Sequence, residues 1–516
     1  MKNLLHILFF GLLTSSFQLL AETHNNELYK THCSSCHGSD RLGAMGPALL
    51  PENLKRLRKK SAIKVISDGR AATQMPAFKN RLSKDEINSL VDLVYTPLDN
   101  IPQWNINNIT KSHIVHKDAQ NLKNRPLWTA DPLNLFIVVE LADHHATLLD
   151  GDTFNPIHRF QTRFALHGGP KYSPSGRYVY FGSRDGWITK YDLYHLKVVA
   201  EIRAGINMRN VAVSSDGRYV IAGNYLPHTL VILSADDLTP LKIIPVKTSE
   251  GKTSRVSAVY DAAPRNTFIA ALKDLKQVWE ISYEDKPPAG FSGWIHDYRE
   301  ESGDAKSSAS FPVRKIKVDD YLDDFFFNQS YELIIGASRE SQGQVVNLDL
   351  GRVTQQIDLP GMPHLGSGIT WQYKGRTVLA TPNLKTNAVS IIDMDSWEVI
   401  KRIETLGPGF FMRSHENTHY AWVDVFFGPN KEAVHIIDKR TLEIAKTIRP
   451  APGKTAAHVE FDKAGKHALL SVWDNDGAVI VYEADTLKEI KRIAMKKPSG
   501  KYNVHNKITR SAGTSH

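Results

Sequence analysis

Cysteine is nearly absent from the sequence: only Cys33 and Cys36 occur among 516 residues. Because both belong to one short motif, no thiol remains for a structural disulfide, and the fold must be held by packing. Long hydrophobic runs are also scarce. After the apolar stretch from Leu4 to Leu13, no segment is long enough to cross a bilayer. The sequence therefore predicts no membrane span.

Charge of one sign is not concentrated either. The 64 Lys and Arg exceed the 55 Asp and Glu, for a formal charge of +9, but the basic residues are scattered along the chain. We therefore expect no nucleic-acid partner, and acidic groups of a ligand or of a protein partner fit the excess better. With 41% apolar and 23% charged residues, the composition is that of a globular protein able to bury large cores.

The first residues have the pattern of an export signal. One Lys precedes the apolar run, a polar break follows from Thr14 to Ser16, and the small residue Ala21 precedes Glu22. Such a pattern is typical of a secretory signal peptide rather than of an anchor. We predict a signal peptide over 1–21, cleaved near Ala21, and a mature protein in the periplasm.

A haem-attachment motif follows in the stretch KTHCSSCHGSD. Cys33 and Cys36 flank two serines, and His37 comes directly after the second cysteine. In this spacing the two thiols form thioethers with the vinyl groups of a haem, and the imidazole becomes an axial ligand of the iron. The alternative is a chance match, against which the export signal argues. The motif predicts one covalent haem c.

The residues after the motif favour a small all-α electron carrier. Met75, in QMPAF, is the candidate for the second axial ligand, because a thioether raises the potential of the iron. The alternative for Met75 is a core-filling side chain. The segment resembles class I cytochrome c domains from about Glu27 to Tyr95, and we assign residues 22–98 to this domain.

The last helix of that domain has a clear start signal and one apolar face. Ser83 and Glu86 have the spacing of a capping box. The apolar positions recur at helical spacing. They are Ile87, Leu90, Val91 and Val94.

Residues 99–127 are polar and lack a helical pattern, as a linker does. Beyond them a phrase repeats: SPSGRYVYFGSRDGWITKYDLYHLKVVAEI is followed by SSDGRYVIAGNYLPHTLVILSADDLTPLKII, with Gly176 and Gly217 41 residues apart. Each copy alternates turns with short apolar strands, which is typical of a propeller blade. Six weaker copies bring the number to eight. We predict an all-β eight-bladed propeller over 128–516. The weaker copies begin near Leu135, Asn266, Tyr331, Lys374, Thr418 and Lys463.

Two histidines are candidates for the central channel of this propeller. His167 lies in RFALHGGPKYSPSGRY and His364 in LPGMPHLGSGITW, and both segments lead into the first strand of a blade. Two imidazoles so placed can approach opposite faces of a flat macrocycle. A lone histidine more often has a structural role, and a propeller by itself does not define a function.

The mature chain resembles the cytochrome cd1 nitrite reductase family over essentially its whole length. The family joins a c-type domain to an eight-bladed propeller that holds haem d1. The resemblance implies that His167 is the proximal ligand of the d1 iron and that His364 is one of two distal histidines. The phrases that carry it are HGGPKYSPSGRYVYFGSRD, DGDTFN, AGNYLPHTLVILSADDLTPLK, PHLGSGITW, RSHENTHYAWVD, LSVWDNDG and PSGKYNVHN.

One position departs from the reductase pattern: Asn383 stands where the second distal histidine belongs. An amide cannot donate the proton that nitrite reduction needs, so we expect that activity to be weak or absent. The chain is more similar to the dihydro-haem d1 dehydrogenase branch of the family, which acts in haem d1 biosynthesis. This resemblance implies oxidation of a propionate to an acrylate, with His364 as base or distal iron ligand and the c-type haem as electron exit.

Two alternatives stay open at this stage. A true nitrite reductase would need another acid, such as His415 or a water molecule. A non-catalytic carrier of haem d1 would have no need of the fused electron carrier. In each case the expected ligand is haem d1 or dihydro-haem d1, bound non-covalently. The expected partners are a periplasmic electron acceptor and a nitrite reductase apoprotein that receives haem d1.

A d1-type macrocycle carries several carboxylates, which need guanidinium or hydroxyl partners inside a channel. Each candidate has an alternative role as a surface or inter-blade ion-pair residue. Asp323 and Asp324 fall where the reductases have a polar loop near the pocket. The candidate carboxylate partners, by motif position, are Arg163, Arg184, Arg209, Tyr225 and Arg339.

Overall fold

The computed structural model describes residues 24–44, 46–54, 57–69, 75–100, 102–119, 122–287, 291, 310–337, 343–359 and 361–509. The chain divides into two compact units, Met1–Gln103 and Trp104–His516. Within the described residues, no helix is long and apolar enough to span a membrane.

The first unit is built from helices. Residues 24–32 are helical, and the predicted capping box is present, because Ser83 N donates to Glu86 Oε2 (2.7 Å) and Glu86 N donates to Ser83 Oγ (3.2 Å). The predicted apolar face is buried against residues that include Leu28, Tyr29 and Phe78. The all-α expectation is confirmed. The named helices are Ser34–His37, Pro51–Leu54, Lys59–Asp68 and Lys84–Tyr95.

The second unit forms eight antiparallel sheets within the described residues, which confirms the eight-bladed propeller. The first strands of neighbouring blades contact one another and surround the axis. The strands from axis to rim are as follows. Blade 1 has Pro498–Asn503, Leu135–Glu140, His145–Asp150 and Pro156–Gln161, and blade 2 has Lys171–Tyr172, Tyr178–Gly182, Trp187–Asp192, Lys197–Arg203 and Ile114–Val115. Blade 3 has Asn207–Val213, Tyr219–Leu226, Thr229–Ser234 and Pro240–Pro245. Blade 4 has Val256–Ala262, Thr267–Leu272, Gln277–Ser282 and Val313–Lys317.

The remaining four blades have the same order. Blade 5 has Asp324–Phe327, Leu333–Ala337, Gly343–Asn347 and Arg352–Ile357; blade 6 has Ile369–Tyr373, Arg376–Pro382, Ala388–Asp393 and Val399–Glu404; blade 7 has Met412–Ser414, Tyr420–Asp424, Val434–Asp438 and Glu443–Ile448; blade 8 has Ala456–Phe461, His467–Val472, Gly477–Glu483 and Glu489–Met495. The chain ends in a short helix, Val504–Ile508.

The ring is closed by strands from opposite ends of the sequence. Pro498–Asn503 follows blade 8 in the chain but pairs with Leu135–Glu140 in blade 1. The core lies between the blades: eight apolar clusters each join residues of two neighbouring blades. Burial of these alternating apolar residues holds the ring together without disulfides.

The predicted linker differs from the structure. Residues 99–127 contain a helix, Ile106–Lys111, and a strand, Ile114–Val115, that extends blade 2. The helix has its own capping box, formed by Asn105 and Asn108. Trp104 Nε1 donates to the carbonyl of Arg203 (2.8 Å), which fixes the segment on the propeller. The connection between the units is therefore shorter than 99–127.

The topology decides which residues meet. In an antiparallel blade, the segment entering the first strand and the turn from the second to the third strand lie at the same end. We call this the upper end and the opposite one the lower end. His167, His364 and Asp324 lie on entering segments, and Arg184 and Asn383 lie on second-to-third turns. Most of the sequence-predicted residues of the propeller that the structure describes are thus brought to the upper end.

Candidate functional site

The haem c motif forms a single tight turn. Cys33 stands immediately before the short helix Ser34–His37, and His37 N donates to the carbonyl of Cys33 (2.9 Å). Both cysteine side chains are partly exposed. The turn therefore presents the two thiols and the imidazole from one small segment, as attachment of a haem requires.

The orientation of His37 also fits an iron ligand. Its Nδ1 is 2.8 Å from the carbonyl of Pro47, so Nδ1 must carry the hydrogen and Nε2 keeps its lone pair. The loop passes so close that a Cβ at Gly46 would lie 2.8 Å from His37 Cε1. Burial lowers the pKa of His37, which favours the neutral form. Met75 packs in the apolar cluster of the same unit, and its role as second ligand stays a prediction.

His167 has the same arrangement at the upper end of the propeller axis. Its Nδ1 donates to the carbonyl of Arg209 (2.7 Å), and its Nε2 accepts a hydrogen bond from the Arg209 guanidinium (2.7 Å). The Nε2 lone pair thus faces the Arg209 guanidinium. An iron ligand needs this tautomer, so His167 fits the proximal position that the resemblance implies.

His364 is held by an equivalent bond. Its Nδ1 lies 2.5 Å from the carbonyl of Phe410, which again leaves Nε2 as the acceptor. Burial lowers the pKa of His364, and the nearby Asp324 carboxylate opposes that shift. His364 is therefore a neutral base at neutral pH.

Asp324 and Tyr260 complete this side of the axis. Tyr260 Oη donates to Asp324 Oδ1 (3.0 Å). The Asp324 carboxylate also packs so closely on Gly366, just after His364, that a Cβ there would lie 2.2 Å from Oδ2. A carboxylate thus stands beside the His364 loop, and Arg209 is near enough to influence the pKa values of both His364 and Tyr260.

An aromatic wall stands next to His364. Phe410 packs at 4.3 Å between ring centroids from His364, and Phe411 contacts Trp473 at 6.0 Å. Phe426 joins the cluster through Trp473 at 5.0 Å. These side chains come from three neighbouring blades and offer an apolar surface to a flat macrocycle.

The structure adds His458, whose role the sequence left open. Its side chain lies between Phe411 (4.7 Å) and Tyr502 (5.2 Å), and it is only 2% exposed. Among the described residues its Nδ1 has no hydrogen-bond partner. The backbone is in the left-handed region (φ 57°) at a register shift of blade 8. Backbone strain and an unpaired imidazole are typical of a functional position.

Arg413 and Tyr502 also face the axis, although only their surroundings drew attention in the sequence. Arg413 is 4% exposed, and burial lowers its pKa. Both residues lie within phrases that carry the family resemblance, RSHENTHYAWVD and PSGKYNVHN. Which side chains of those phrases point inward depends on strand register, which the sequence does not give.

Three of the predicted carboxylate partners are engaged elsewhere or less central. Arg163 Nε donates to Glu201 (2.7 Å), and its guanidinium stacks 3.9 Å from the Trp187 ring. Tyr225 lies under the guanidinium of Arg255 (5.4 Å). Arg184 is held through its backbone at the upper end. Arg339 lies outside the described residues.

Asp323 and His415 are the remaining residues singled out from the sequence. Asp323 forms an ion pair with Lys273. His415 lies in the turn between the first and second strands of blade 7, at the lower end and away from His364. It is packed against Gly465, where a Cβ would lie 2.2 Å from its Nδ1. This placement favours a structural role for His415.

Asn383 has a clear structural role. Its Oδ1 accepts hydrogen bonds from the backbone N–H of Lys385 (2.9 Å) and Thr386 (2.9 Å), and from that of Met362 (3.2 Å). The side chain thus ties its own turn to the segment that carries His364. An amide oxygen fixed in this way accepts hydrogen bonds and offers no acid to a ligand.

Comparisons with known proteins agree with this architecture. The family described as "Cytochrome D1 heme domain" matches residues 130–507, and "Cytochrome C oxidase, cbb3-type, subunit III" matches residues 21–94. The chain is 50% identical over 507 residues to Dihydro-heme d1 dehydrogenase of Pseudomonas aeruginosa, covering 98% of each chain. It is 26% identical over 541 residues to Nitrite reductase of Stutzerimonas stutzeri, covering 93% of this chain and 92% of that one.

A solved structure is similar to both units. The dihydro-heme d1 dehydrogenase NirN in complex with DHE is 51% identical, with a TM-score of 0.87, over 93% of this chain and 99% of that chain. The resemblance inferred from the sequence, including its dehydrogenase branch, is confirmed by these matches. The chain belongs to the cytochrome d1 heme domain family.

Proposed function

We propose that this protein oxidises a propionate side chain of dihydro-haem d1 to an acrylate and passes the electrons to its own covalently attached c-type haem. The observation that carries the proposal is the 50% identity, over nearly the full length of both chains, to Dihydro-heme d1 dehydrogenase. In this reaction two C–H bonds break and a C=C bond forms, while two electrons and two protons leave the side chain.

The haem c turn provides the electron exit. When bound, a c-type haem supplies a one-electron acceptor. Cys33 and Cys36 would hold it through thioethers, and His37 and Met75 would take the two axial positions. The fixed Nδ1 of His37 supports this assignment, because it leaves Nε2 for the iron.

At the upper end of the axis, His167 would hold the tetrapyrrole iron through Nε2. The Arg209 guanidinium, which donates to Nε2 in this structure, would turn to a carboxylate of the macrocycle. Arg184, Tyr225 and Arg339 remain proposed carboxylate partners. Arg163 would have to exchange its ion pair with Glu201 to serve in this way.

The proton acceptor must be a neutral base that contacts the side chain. We nominate His364 as base or distal iron ligand, since burial keeps it neutral and Nε2 is its acceptor nitrogen. His458 is a second candidate, because burial lowers its pKa further and its Nδ1 has no partner among the described residues. The aromatic wall of Phe410 and Phe411 would exclude water from this region.

Nitrite reduction is the second candidate, favoured only by the 26% identity to Nitrite reductase. Asn383 argues against it, because its oxygen is committed to three backbone bonds and His415 lies at the lower end. A pure carrier of haem d1 would not explain the haem c turn.

The remaining assignments follow from the same proposal. Residues 1–21 would be a signal peptide, cleaved near Ala21, which lies outside the described residues. The mature protein would act in the periplasm, where it would give electrons to a periplasmic acceptor. It would release haem d1 to a nitrite reductase apoprotein.

The test is an anaerobic incubation of the purified haem c protein with dihydro-haem d1. If the protein oxidises this substrate, the mass of the extracted tetrapyrrole falls by that of two hydrogen atoms, and the c-type haem becomes reduced. Binding without a mass change, followed by nitric oxide release on adding nitrite and reductant, would instead support the reductase. Binding with neither change would support the carrier.

A further inference from the structure

Below the candidate site the axis opens into a cavity, which we call the lower cavity. It has a volume of about 520 Å³ and lies between the first strands of several blades and the C-terminal helix Val504–Ile508. Lys171, Tyr260, Asn506 and Lys507 are among the residues that line it. Most of the lining residues lie near the ends of the first strands or in the C-terminal helix, so the cavity lies towards the lower end of the axis, away from His167 and His364.

A set of ionisable side chains connects the two ends. The Glu460 side chain is fully buried on the first strand of blade 8, and its Oε2 lies 3.9 Å from Arg413 Nε and 3.8 Å from Lys507 Nζ. Its Oε1 accepts a hydrogen bond from Asn506 (3.2 Å). Among the described residues, Glu460 Oε2 has no hydrogen-bond partner. A buried carboxylate oxygen without a donor needs a mobile proton or a nearby cation.

The upper part of this set lies beside His458, the second candidate for the base. The rings of His458 and Tyr502 are 5.2 Å apart, and Lys507 Nζ lies 5.7 Å from the Tyr502 ring. Lys507 is 10% exposed and borders the lower cavity, so it stands between the buried groups and the outside. Modest rotation of two flexible side chains, Lys507 and Arg413, would bring either cation into contact with Glu460.

We propose that the lower cavity is the exit for the protons released by oxidation of the substrate, with Glu460 and Lys507 as the relay between the axis and solvent. The inference rests on the proposed function. The two electrons would leave one at a time to the c-type haem, which the periplasmic acceptor reoxidises. The two protons would pass from the imidazole base to Glu460 and Lys507, and then to water. The macrocycle itself would cover the upper end.

The properties of Lys507 suit this role. Burial, with the Arg413 and Lys171 charges and against the opposing Glu460 carboxylate, lowers the pKa of Lys507 to about 7. The groups facing it are Arg413, Glu460, Lys171, His458 and the Tyr502 ring. An ordinary lysine holds its proton at neutral pH, whereas one that titrates near the working pH can take up and release a proton in each cycle.

The first test needs no tetrapyrrole. The haem c protein would be labelled with limiting acetic anhydride between pH 5 and 10, and the acetylation of each lysine read by mass spectrometry. We expect Lys507 to gain reactivity with a midpoint near pH 7, well below that of the lysine of an unstructured reference peptide in the same sample. A Lys507 midpoint near that of the reference peptide would overturn the relay.

The second test measures proton release. In single turnovers with dihydro-haem d1, Lys507→Met should slow both the release of protons to an indicator dye and the reduction of the haem by about tenfold. Binding of the tetrapyrrole should be unchanged, and methylammonium added to Lys507→Ala should restore much of the rate. Lys446→Met is the control, since Lys446 is exposed on the outer strand of blade 7.

The outcomes separate the two proposals. If the wild-type protein does not oxidise dihydro-haem d1, the proposed function fails. If it does, and Lys507→Met and Glu460→Gln both release protons at the wild-type rate, the exit through the lower cavity is wrong. Should Lys507→Met not fold, Glu460→Gln and the labelling midpoint decide the question.

Discussion

At the scale of single residues, one buried carboxylate, that of Asp424, connects the backbone segments that hold His364 and His458. Asp424 Oδ1 accepts from the backbone N–H of Phe410 (2.7 Å) and Phe411 (3.1 Å), and Oδ2 accepts from that of His458 (3.2 Å). The carbonyl of Phe410 in turn holds His364 Nδ1. Asp424 is therefore a positioning residue for His364 and His458.

Asp424→Asn tests this role with almost no change in volume. An amide has one acceptor oxygen and one NH₂ group. The NH₂ group must therefore face either the N–H groups of Phe410 and Phe411 or the N–H group of His458, and the hydrogen bonds on that side are lost. We expect a loss of about 1–3 kcal/mol in the free energy of unfolding, and slower oxidation of the substrate. Urea unfolding followed by tryptophan fluorescence measures the first. The exposed Asp485→Asn variant is the control, and equal stability of the two variants would contradict the role.

Lys507 also predicts a pH dependence of stability. Its folded pKa of about 7 lies below the ordinary lysine value, so above pH 7 the unfolded chain binds a proton that the folded one does not. The free energy of unfolding then rises with pH. Lys507→Met should stabilise the propeller most at pH 6, by several kcal/mol, with the gain fading towards pH 10. Unfolding in urea at pH 6, 7.5 and 9 checks this, and a gain independent of pH would contradict it.

At the scale of secondary-structure elements, the sequence predicted what local patterns determine. The helix Lys84–Tyr95 followed from its capping box and apolar spacing, and both are present. The helix Ile106–Lys111 escaped prediction because its box uses asparagines and its length is only six residues. The strand Ile114–Val115 was also missed, since a two-residue strand is defined by its distant partner in blade 2.

The capping box of the helix Lys84–Tyr95 gives a prediction at this scale. Ser83→Ala removes the acceptor of the Glu86 N–H bond, which should cost about 1 kcal/mol of helix stability. Backbone amides of this helix should then exchange hydrogen about fivefold faster. Hydrogen exchange by mass spectrometry measures this, with the helix Ile106–Lys111 as control in the same sample. Unchanged exchange in Lys84–Tyr95 would show that packing alone holds this helix.

At the scale of the whole propeller, repeats in the sequence predicted eight blades but did not identify most residues of the axis. His167 and His364 were found because they stand in unusual phrases that enter blades. Tyr260, His458 and Tyr502 lie inside first strands, where inward and outward positions alternate and a register shift such as that at His458 inverts the pattern. The axis is assembled from many blades, so no local pattern could reveal it.

Closure of the ring depends on its last strand. The strand Pro498–Asn503 pairs with Leu135–Glu140 in blade 1. In this second strand Phe136, Ile137 and Val138 are fully buried. A chain ending at Lys497 would leave an unpaired apolar edge in blade 1 and would remove Lys501, whose ammonium is fully buried and bonds to the carbonyl of His458.

We therefore expect the chain ending at Lys497 to lose the cooperative unfolding transition of the propeller, while the helical first unit, which has its own core, keeps its transition. A chain ending at Thr509 retains every described strand and the C-terminal helix, and it should unfold like the full-length protein. Calorimetry of the three chains measures the difference. A propeller transition that survives truncation at Lys497 would show that seven complete blades and three strands are sufficient, and that the ring is held mainly by the apolar clusters between blades.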